Sequence, residues 1–335
     1  MASQRYAVVT GGAGFIGSHM VDLLLSRGYR VGVVDNLATG RRENLRDLPQ
    51  RADCELHELD VCDLPHHPRI FAGAQFVFHF AGLGDIVPSI EQPMRYMHAN
   101  VDGTLAVLEA ARSAGVRKLV YAASSSCYGA DPPLPTGEDA PISAEYPYAL
   151  SKYLGELTAL HWSRVYRLPV VSIRMFNVYG PRVRTTGAYG AVLGVFLAQK
   201  LNGSPLTVVG EGTQSRDFVY VTDVVRAFLL AAESDVVGEI FNLGSGNPQT
   251  VNRLVELIGG PHCQVVHVPK RPGEPDCTWA DISKIRRVLG WEPTVPLEAG
   301  VAALMDDIEA WRDAPVWTPK AIEAATKTWF EYLRK

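Results

Sequence analysis

The fold of this chain is decided near its start, by the segment Tyr6-Ala-Val-Val-Thr-Gly-Gly-Ala-Gly-Phe-Ile-Gly17. The first five residues predict a short apolar strand, and a glycine-rich turn leads from it into an apolar helix pattern. Gly11, Gly14 and Gly17 fit the GxxGxxG pattern, in which glycine permits a tight turn and a close approach of the backbone to a pyrophosphate. Because the amino end of a helix attracts anions, the segment predicts a dinucleotide-binding unit.

A carboxylate at the end of the next strand strengthens this interpretation. The strand pattern at residues 30–34 ends in Asp35, close to the spacing of about 20 residues that dinucleotide-binding units favour. A carboxylate there can accept hydrogen bonds from both ribose hydroxyls and repels a 2′-phosphate, which favours NAD over NADP. Arg41 and Arg42 lie just beyond, so NADP stays open at this point.

Strand and helix patterns alternate along the first half of the chain. Further strands are predicted at residues 56–59, 76–80, 119–123 and 170–174. This alternation predicts an α/β fold with a doubly wound parallel sheet of the Rossmann type. After residue 175 the pattern becomes mixed, so we expect an NAD-binding domain at 1–175. Residues 176–335 are then mainly a smaller mixed α/β lobe that binds substrate, with the chain crossing back to the sheet. An amphipathic tail at 321–333 is expected to pack on the surface.

The strongest chemical signal runs from the end of the central strand into a later helix. Ser124, Ser125 and Ser126 follow the apolar run 119–123, and Tyr148 and Lys152 share one face of a helix. All of them can meet at the carboxyl edge of the sheet, where open α/β folds bind ligands. A tyrosine with a pKa of about 10 is a poor base on its own, and a nearby ammonium favours its phenolate.

This chemistry predicts that Tyr148 takes a proton from a sugar hydroxyl while a hydride leaves the same carbon. Ser124 would hold that hydroxyl and relay the proton. YxxxK alone is a common helix pattern, and its position behind a strand-end serine cluster makes it a candidate catalytic motif.

Composition excludes several other classes of protein. The chain has 335 residues, a net charge of −4 and no basic block, so we expect no nucleic-acid or anionic-membrane partner. No apolar run approaches the ~20 residues of a membrane span, and no signal peptide is predicted. The five cysteines form no CxxC pair, which fits reduced thiols and a cytoplasmic location. His66 and His67 stand among prolines in a polar loop, so no metal site is predicted.

Three side chains beyond the first half are candidate phosphate ligands. Arg216 and Arg271 lie in polar loops and can clamp a diphosphate with charge-assisted hydrogen bonds. Asn177 can donate to the same phosphates. Asp60 and Val61 end the third predicted strand and are candidate adenine contacts.

Several motifs resemble a known family. They are His79-Phe-Ala-Gly-Leu83, Tyr121-Ala-Ala-Ser-Ser-Ser-Cys-Tyr-Gly129 and Phe176-Asn-Val-Tyr-Gly-Pro-Arg182, together with GxxGxxG and YxxxK. With these residues the chain resembles the extended short-chain dehydrogenases/reductases, specifically the NAD-dependent nucleotide-sugar epimerases and dehydratases. The resemblance covers nearly the whole chain and leaves the tail beyond Val316 without a match.

The resemblance assigns roles to individual residues. It implies Ser124, Tyr148 and Lys152 as the catalytic hydroxyl, base and lysine. The implied NAD contacts are Gly11, Gly14, Phe15, Ile16, Gly17, Asp35, Asn36, Asp60, Val61, Phe80, Ala81, Gly82, Asn100, Tyr148 and Lys152. The implied substrate contacts are Ser124, Ser125, Ser126, Asn177, Arg216, Arg271 and Thr278.

The resemblance also implies an activity, 4-epimerisation of a UDP-hexose through a transient 4-keto sugar, in a homodimer. UDP-glucose, UDP-galactose and their N-acetylated forms are the expected substrates, as in bacterial surface polysaccharide pathways. Epimerases restricted to unacetylated sugars tend to carry a bulky tyrosine where Thr278 stands, so Thr278 predicts room for an N-acetyl group. The adjacent Trp279 would fill that space if it faced the sugar instead.

Alternatives stay open at this stage. A UDP-uronate 4-epimerase or a CDP-sugar 2-epimerase uses the same three catalytic residues. Sugar-nucleotide 4,6-dehydratases and UDP-glucuronate decarboxylases resemble this chain less, because they carry acidic residues where Ser125 and Ser126 stand. A non-catalytic NAD-binding regulator is a further alternative, since a fold alone does not establish activity.

Overall fold

A computed structural model describes residues 5–45, 52–183 and 192–333 of the chain. Within these ranges the strands are β1 Tyr6–Thr10, β2 Arg30–Asp35, β3 Cys54–Glu58, β4 Phe76–His79, β5 Lys118–Ser124, β6 Val170–Met175, β7 Asn177–Tyr179, β8 Leu206–Val209, β9 Ser215–Arg216, β10 Phe218–Tyr220, β11 Glu239–Leu243, β12 Gln249–Thr250 and β13 Val265–Val268. The helices are α1 Phe15–Ser26, α2 Ile86–Glu91, α3 Pro93–Met97, α4 Gly103–Ala114, α5 Pro147–Tyr166, α6 Val192–Leu201, α7 Val221–Glu233, α8 Val251–Leu254, α9 Ser283–Leu289, α10 Leu297–Asp306 and α11 Pro319–Tyr332.

Seven of the described strands form one parallel sheet in the order β11-β6-β5-β4-β1-β2-β3. The chain winds outward in one direction through β2 and β3 and in the other through β5 and β6. The order therefore reverses between β1 and β4, and their carboxyl ends form a crevice at one edge of the sheet. This confirms the predicted doubly wound Rossmann architecture.

Both faces of the sheet are covered by helices, which explains the near-continuous apolar strands. Successive side chains of a strand point to opposite faces. Val9 belongs to the core cluster that contains Leu24 of α1 and Phe228 of α7. Val8 belongs to the opposite cluster, with Leu108 of α4 and Ala159 of α5. The sheet is thus a rigid layer from which the strand-end residues project.

The structure corrects three sequence-based predictions, two after residue 175 and one in the main sheet. The turn-forming residues in the segment 175–182 predict a loop, but this segment contains β7, which pairs with β10. The polar loop around Arg216 contains β9, which pairs with β12. The third strand begins at Cys54, two residues before the predicted start at 56. Strands β7 and β9 have only three and two residues, which is too short to show an alternating pattern, so the sequence did not reveal these two strands.

The chain returns to the main sheet after the first strands of the lobe. Strand β11 pairs in parallel with β6 and forms the edge of the seven-stranded sheet. The boundary after residue 175 stays a prediction. None of the helices in the described ranges is long and apolar enough to cross a membrane.

Candidate active site

The glycine turn between β1 and α1 is shaped so that only glycine fits at two of its positions. A Cβ atom on Gly11 would lie 2.6 Å from the backbone nitrogen of Ala81, and one on Gly17 would lie 2.1 Å from the carbonyl oxygen of Gly11. Helix α1 then begins at Phe15 after Gly14, which has no side chain to cap the helix. The first N–H groups of a helix lack intrahelical partners, so this end fits the pyrophosphate of a dinucleotide.

Asp35 is fixed at the end of β2 beside this turn. Its carboxylate accepts hydrogen bonds from the backbone N–H of Ala13 at 2.9 Å and of Leu37 at 2.8 Å. Burial raises the pKa of Asp35, while these two bonds oppose that shift. The remaining lone pairs of a carboxylate so held fit the two hydroxyls of an adenine ribose.

The residues after Asp35 and β3 form the adjoining wall. Asn36 donates from Nδ2 to the Asp60 carboxylate at 2.7 Å, and the backbone N–H of Cys62 donates to the same carboxylate at 2.9 Å. Val61 is buried and packs closely against Gly103. A Cβ atom on Gly103 would lie only 2.8 Å from the Val61 side chain. The structure therefore brings the proposed adenine contacts next to the Asp35 pocket.

Asn100 organises the segment after β4. Its Oδ1 accepts from the backbone N–H of Leu83 at 2.7 Å, and its Nδ2 donates to the Leu83 carbonyl at 3.0 Å and to Ser151 Oγ at 2.8 Å. The amide thereby ties the strand-end segment to α5, and Phe80, Ala81 and Gly82 lie just before Leu83. The buried Asn100 amide therefore fixes the position of residues 80–83 at the crevice.

The strand-end hydroxyls meet the tyrosine of α5. The Tyr148 hydroxyl donates to Ser124 Oγ at 3.4 Å, and Ser124 Oγ lies 2.8 Å from Ser126 Oγ. Ser124 is the N-cap of the 3₁₀ turn Ser125–Tyr128, and its Oγ accepts from the N–H of Ser126. Burial raises the pKa of Tyr148, and the hydrogen bond to Ser124 lowers it in part. These contacts form a line of hydroxyls along which a proton can move.

Lys152 is buried one helical turn from Tyr148. Its Nζ lies 4.5 Å from the centre of the Tyr121 ring, so the ammonium faces an aromatic surface. Burial lowers the pKa of Lys152 to about 8, although the Glu156 carboxylate on the next turn opposes this shift. A lysine so placed brings positive charge to the Tyr148 end of α5.

A buried ion pair lies next to the serine turn and α5. Arg174 Nε donates to both carboxylate oxygens of Glu156 at 3.1 and 3.0 Å, and Arg174 NH1 donates to the Tyr128 hydroxyl at 2.8 Å. Ser172 Oγ donates to the same carboxylate at 2.8 Å. Tyr128 ends the turn that begins after Ser124, so the pair links α5, β6 and the serine turn.

A cavity of about 520 Å³ opens from the serine turn toward the substrate lobe. The predicted substrate residues that line it are Ser124, Ser125, Ser126, Asn177, Arg216, Arg271 and Thr278. Tyr148 reaches this wall through its hydrogen bond with Ser124. The structure thus assembles side chains that are far apart in the sequence around one volume large enough for a small ligand.

Both candidate phosphate-binding arginines contact the same carboxylate. Arg216 NH2 donates to Glu274 at 2.9 Å, and Arg271 Nε donates to Glu274 at 2.8 Å. All three side chains are at most 16% exposed. Two guanidinium groups that share one carboxylate at a cavity wall can bind an anion with several oxygens.

Thr278 lines the cavity but its hydroxyl has structural partners. Thr278 Oγ1 donates to Asn177 Oδ1 at 2.8 Å and accepts from the N–H of Asp217 at 3.1 Å. Trp279 is 36% exposed and donates from its indole nitrogen to the Gly246 carbonyl at 3.1 Å. Of these two neighbouring residues, Thr278 is the one that lines this cavity.

Several residues of this region had no recognisable sequence signal. Glu274 pairs with both arginines and lines the cavity, which only the structure shows. Asp85 and Glu145 add two more carboxylates to the cavity wall. Tyr146 stacks on Tyr148 at 6.4 Å with an interplanar angle of 12°. Asp217 is buried and accepts N–H bonds from the loops that follow β11 and Thr278, which shapes the arginine side of the cavity. In the part of the chain that the structure describes, no three His, Cys, Asp or Glu residues are grouped to hold a metal.

The chain is similar in sequence to a known protein family and to proteins of known name. Residues 7–244 match the family model described as the NAD dependent epimerase/dehydratase family. The chain is 36% identical to the UDP-glucose 4-epimerase of Mycolicibacterium smegmatis over 308 residues, which covers 89% of this chain and 97% of that protein.

Two solved structures show the same fold over nearly their whole length. One is the UDP-N-acetylglucosamine 4-epimerase of Methanobrevibacter ruminantium M1 in complex with UDP-N-acetylmuramic acid, with a TM-score of 0.84 and 33% identity, covering 92% of this chain and 100% of that one. The other is the UDP-glucuronic acid 4-epimerase of Bacillus cereus in complex with UDP-glucuronic acid and NAD, with a TM-score of 0.83 and 30% identity, covering 91% and 99%.

Proposed function

We propose that this chain, which belongs to the NAD dependent epimerase/dehydratase family, inverts carbon 4 of UDP-hexoses. The family and the relatives establish an NAD-dependent epimerase, an isomerase. The finer proposal is that UDP-glucose, UDP-galactose and their N-acetylated forms are its substrates. The observation that carries it is the hydroxyl line from Tyr148 to Ser124, which opens onto the cavity that Arg216, Arg271 and Thr278 also line.

The residues of the crevice fit NAD. The amino end of α1 would hold the pyrophosphate and Asp35 the adenine ribose, while Lys152 and the 80–83 segment would lie beside the nicotinamide half. When bound, NAD⁺ would supply the group that takes up a hydride from carbon 4 of the sugar and gives it back.

The side chains of this protein supply binding and proton movement. Tyr148 takes the proton from the carbon 4 hydroxyl, and Ser124 holds that oxygen and passes the proton along. Burial raises the pKa of Tyr148, and its hydrogen bond to Ser124 opposes that rise. A positive charge on Lys152, one helical turn away, would further favour the phenolate. After the 4-keto sugar has turned over, Tyr148 returns the proton to the oxygen at carbon 4.

Rotation of the sugar requires that the rest of the substrate stays bound. Arg216 and Arg271 would hold the diphosphate, with Asn177 as a further donor. The sugar can then turn within the cavity while its anchor does not move. Binding energy from these remote groups serves to position the reacting carbon.

The discriminating experiment is a product analysis with purified protein. Incubation with UDP-glucose, UDP-N-acetylglucosamine, UDP-glucuronate, a CDP-hexose and dTDP-glucose should yield the carbon 4 epimers of the first two. Epimerisation of UDP-glucuronate alone would overturn the proposed substrate, as would inversion at carbon 2 of the CDP-sugar. A 4-keto-6-deoxy product or loss of carbon 6 would show a dehydratase or decarboxylase. No turnover of any sugar would favour a non-catalytic NAD-binding protein.

A further inference from the structure

The last helix, α11, forms part of the wall of the substrate cavity. The sequence predicted an amphipathic segment that packs on the surface, and the apolar face is indeed buried, with Ile322 3% and Trp329 6% exposed. The structure adds that Thr326 and Trp329, with the preceding Trp317, line the same cavity as Ser124 and Arg271. The carboxyl-terminal segment therefore reaches the site instead of lying away from it.

Trp329 contacts the segment that carries one of the two arginines. Its indole nitrogen donates to the Pro272 carbonyl at 2.6 Å, directly after Arg271. The Arg271 guanidinium lies 5.0 Å from the centre of the Trp329 ring. A guanidinium stacks well on an aromatic face, which restricts the rotation of its long side chain.

Helix α11 also joins the two halves of the molecule. Thr328 Oγ1 donates to the Glu91 carboxylate at 2.9 Å, at the end of α2 in the cofactor half. Gln199 of α6 in the substrate lobe donates to the Trp317 carbonyl at 2.6 Å. Residues Ile86 and Val87 at the start of α2 also line the cavity. Helix α11 and the segment before it thus contact both halves of the molecule beside the cavity.

We propose that α11 lines the part of the substrate site that binds the nucleotide. In this helix Trp329 is a positioning residue for Arg271. The ring holds the guanidinium ready for the diphosphate of a nucleoside diphosphate. Preorganisation of this kind strengthens binding because less side-chain freedom is lost when the ligand arrives. The inference rests on the proposed function, since it assigns the diphosphate to Arg271.

Two variants of similar size test the role of the ring. Trp329→Phe keeps an aromatic face under Arg271, and Trp329→Leu keeps apolar packing without that face. Both lose the hydrogen bond to Pro272, so they differ mainly in the contact with the guanidinium. We expect UDP to bind about tenfold more weakly to the leucine variant than to the phenylalanine variant. The KM for UDP-glucose should rise in parallel with little change in kcat.

The same pair of variants in an Arg271→Ala background shows whether the ring acts through the arginine. There the difference in the Kd of UDP should disappear, as measured by isothermal titration calorimetry. NAD(H) content serves as the folding control, and Tyr332→Leu, at a 65% exposed position of α11, as the matched surface variant. Equal affinities of the two variants, or a difference that persists without Arg271, would overturn the inference. A wild-type protein that does not bind UDP would instead overturn the proposed function.

Discussion

The Tyr148 hydroxyl lies 3.4 Å from Ser124 Oγ, although 24 positions separate the two residues in the sequence. The contact exists because β5 ends, and α5 begins, at the same edge of the parallel sheet. Ser124 in turn contacts Ser126, and both serines line the cavity. The half-buried Tyr148 hydroxyl is therefore connected to the cavity through other hydroxyl groups.

Removal of the Tyr148 hydroxyl should abolish most turnover without preventing substrate binding. Loss of a general base commonly lowers a rate by about 10²–10⁴-fold, so Tyr148→Phe should lower kcat in that range. Ser124→Ala should lower it less, because a water molecule can bridge the gap. Steady-state kinetics together with the Kd of UDP would measure both effects. Near wild-type turnover in Tyr148→Phe would show that another group is the base.

Lys152 should make the folded protein less stable than it would be with an apolar residue there. Its pKa falls from 10.5 to about 8 on burial, so Lys152→Met should raise the free energy of unfolding by about 1–3 kcal/mol at pH 7. Urea unfolding without added NAD measures this change. Lys320→Met, at an exposed position at the start of α11, is the matched control and should change little.

The stabilisation by Lys152→Met should depend on pH in a defined direction. Below about pH 8 the lysine is charged in both states, and the folded protein carries the full penalty of burying the charge. Between about pH 8 and 10.5 the folded lysine is neutral while the unfolded one is still protonated, so the stability contribution of this group in the wild type rises with pH. The advantage of the methionine variant should shrink over this window. An advantage that stays constant from pH 7 to 10 would contradict the assignment.

The Glu156–Arg174 pair should be costly to break from one side only. Both side chains are at most 4% exposed, so Arg174→Met leaves a buried carboxylate without its partner and should destabilise the fold by about 3–5 kcal/mol. Glu156→Leu combined with Arg174→Met should lose less than the sum of the single variants. A double-mutant cycle by urea unfolding tests this. Additive losses would mean that the pair is not coupled, and Arg112→Met on the exposed surface provides a reference.

Thr278 should control the size of the group accepted at carbon 2 of the sugar. Thr278→Tyr should lower kcat/KM for UDP-N-acetylglucosamine more than for UDP-glucose, because an overfilled pocket cannot relax easily. Thr278→Val removes the hydrogen bonds to Asn177 and Asp217 without adding volume, and it is the matched control. The decisive quantity is the ratio of kcat/KM for the two sugars. An unchanged ratio in the tyrosine variant would place carbon 2 elsewhere.

The exposed face of α5 should pair with a second copy of the chain. Leu150, Leu157 and Val165 lie along this helix and are 39%, 45% and 50% exposed. Burial of such a face is favourable, so we expect a homodimer at micromolar concentration in light scattering. Leu157→Asp should give a monomer. Leu134→Asp, at a 47% exposed loop position, should leave the dimer intact, and a monomeric wild type would refute the prediction.

The sequence by itself determined the sheet, the cofactor and the candidate catalytic residues. Its signals are local: a glycine turn that admits no Cβ atom, a carboxylate at a strand end, and Tyr148 and Lys152 one helical turn apart. Such patterns depend on backbone geometry within a few residues, so spacing alone predicts them. The resemblance to the epimerases added the residues that would hold the diphosphate.

Only the tertiary structure decided how distant side chains meet. Three contacts join segments that share no sequence pattern: the Arg216–Glu274 pair, the Glu156–Arg174 pair and the ring of Trp329 beside Arg271. These contacts arise when helices and loops from different parts of the chain pack against one sheet edge. Because packing between remote segments has no fixed period in the sequence, their arrangement is visible only once the chain has folded.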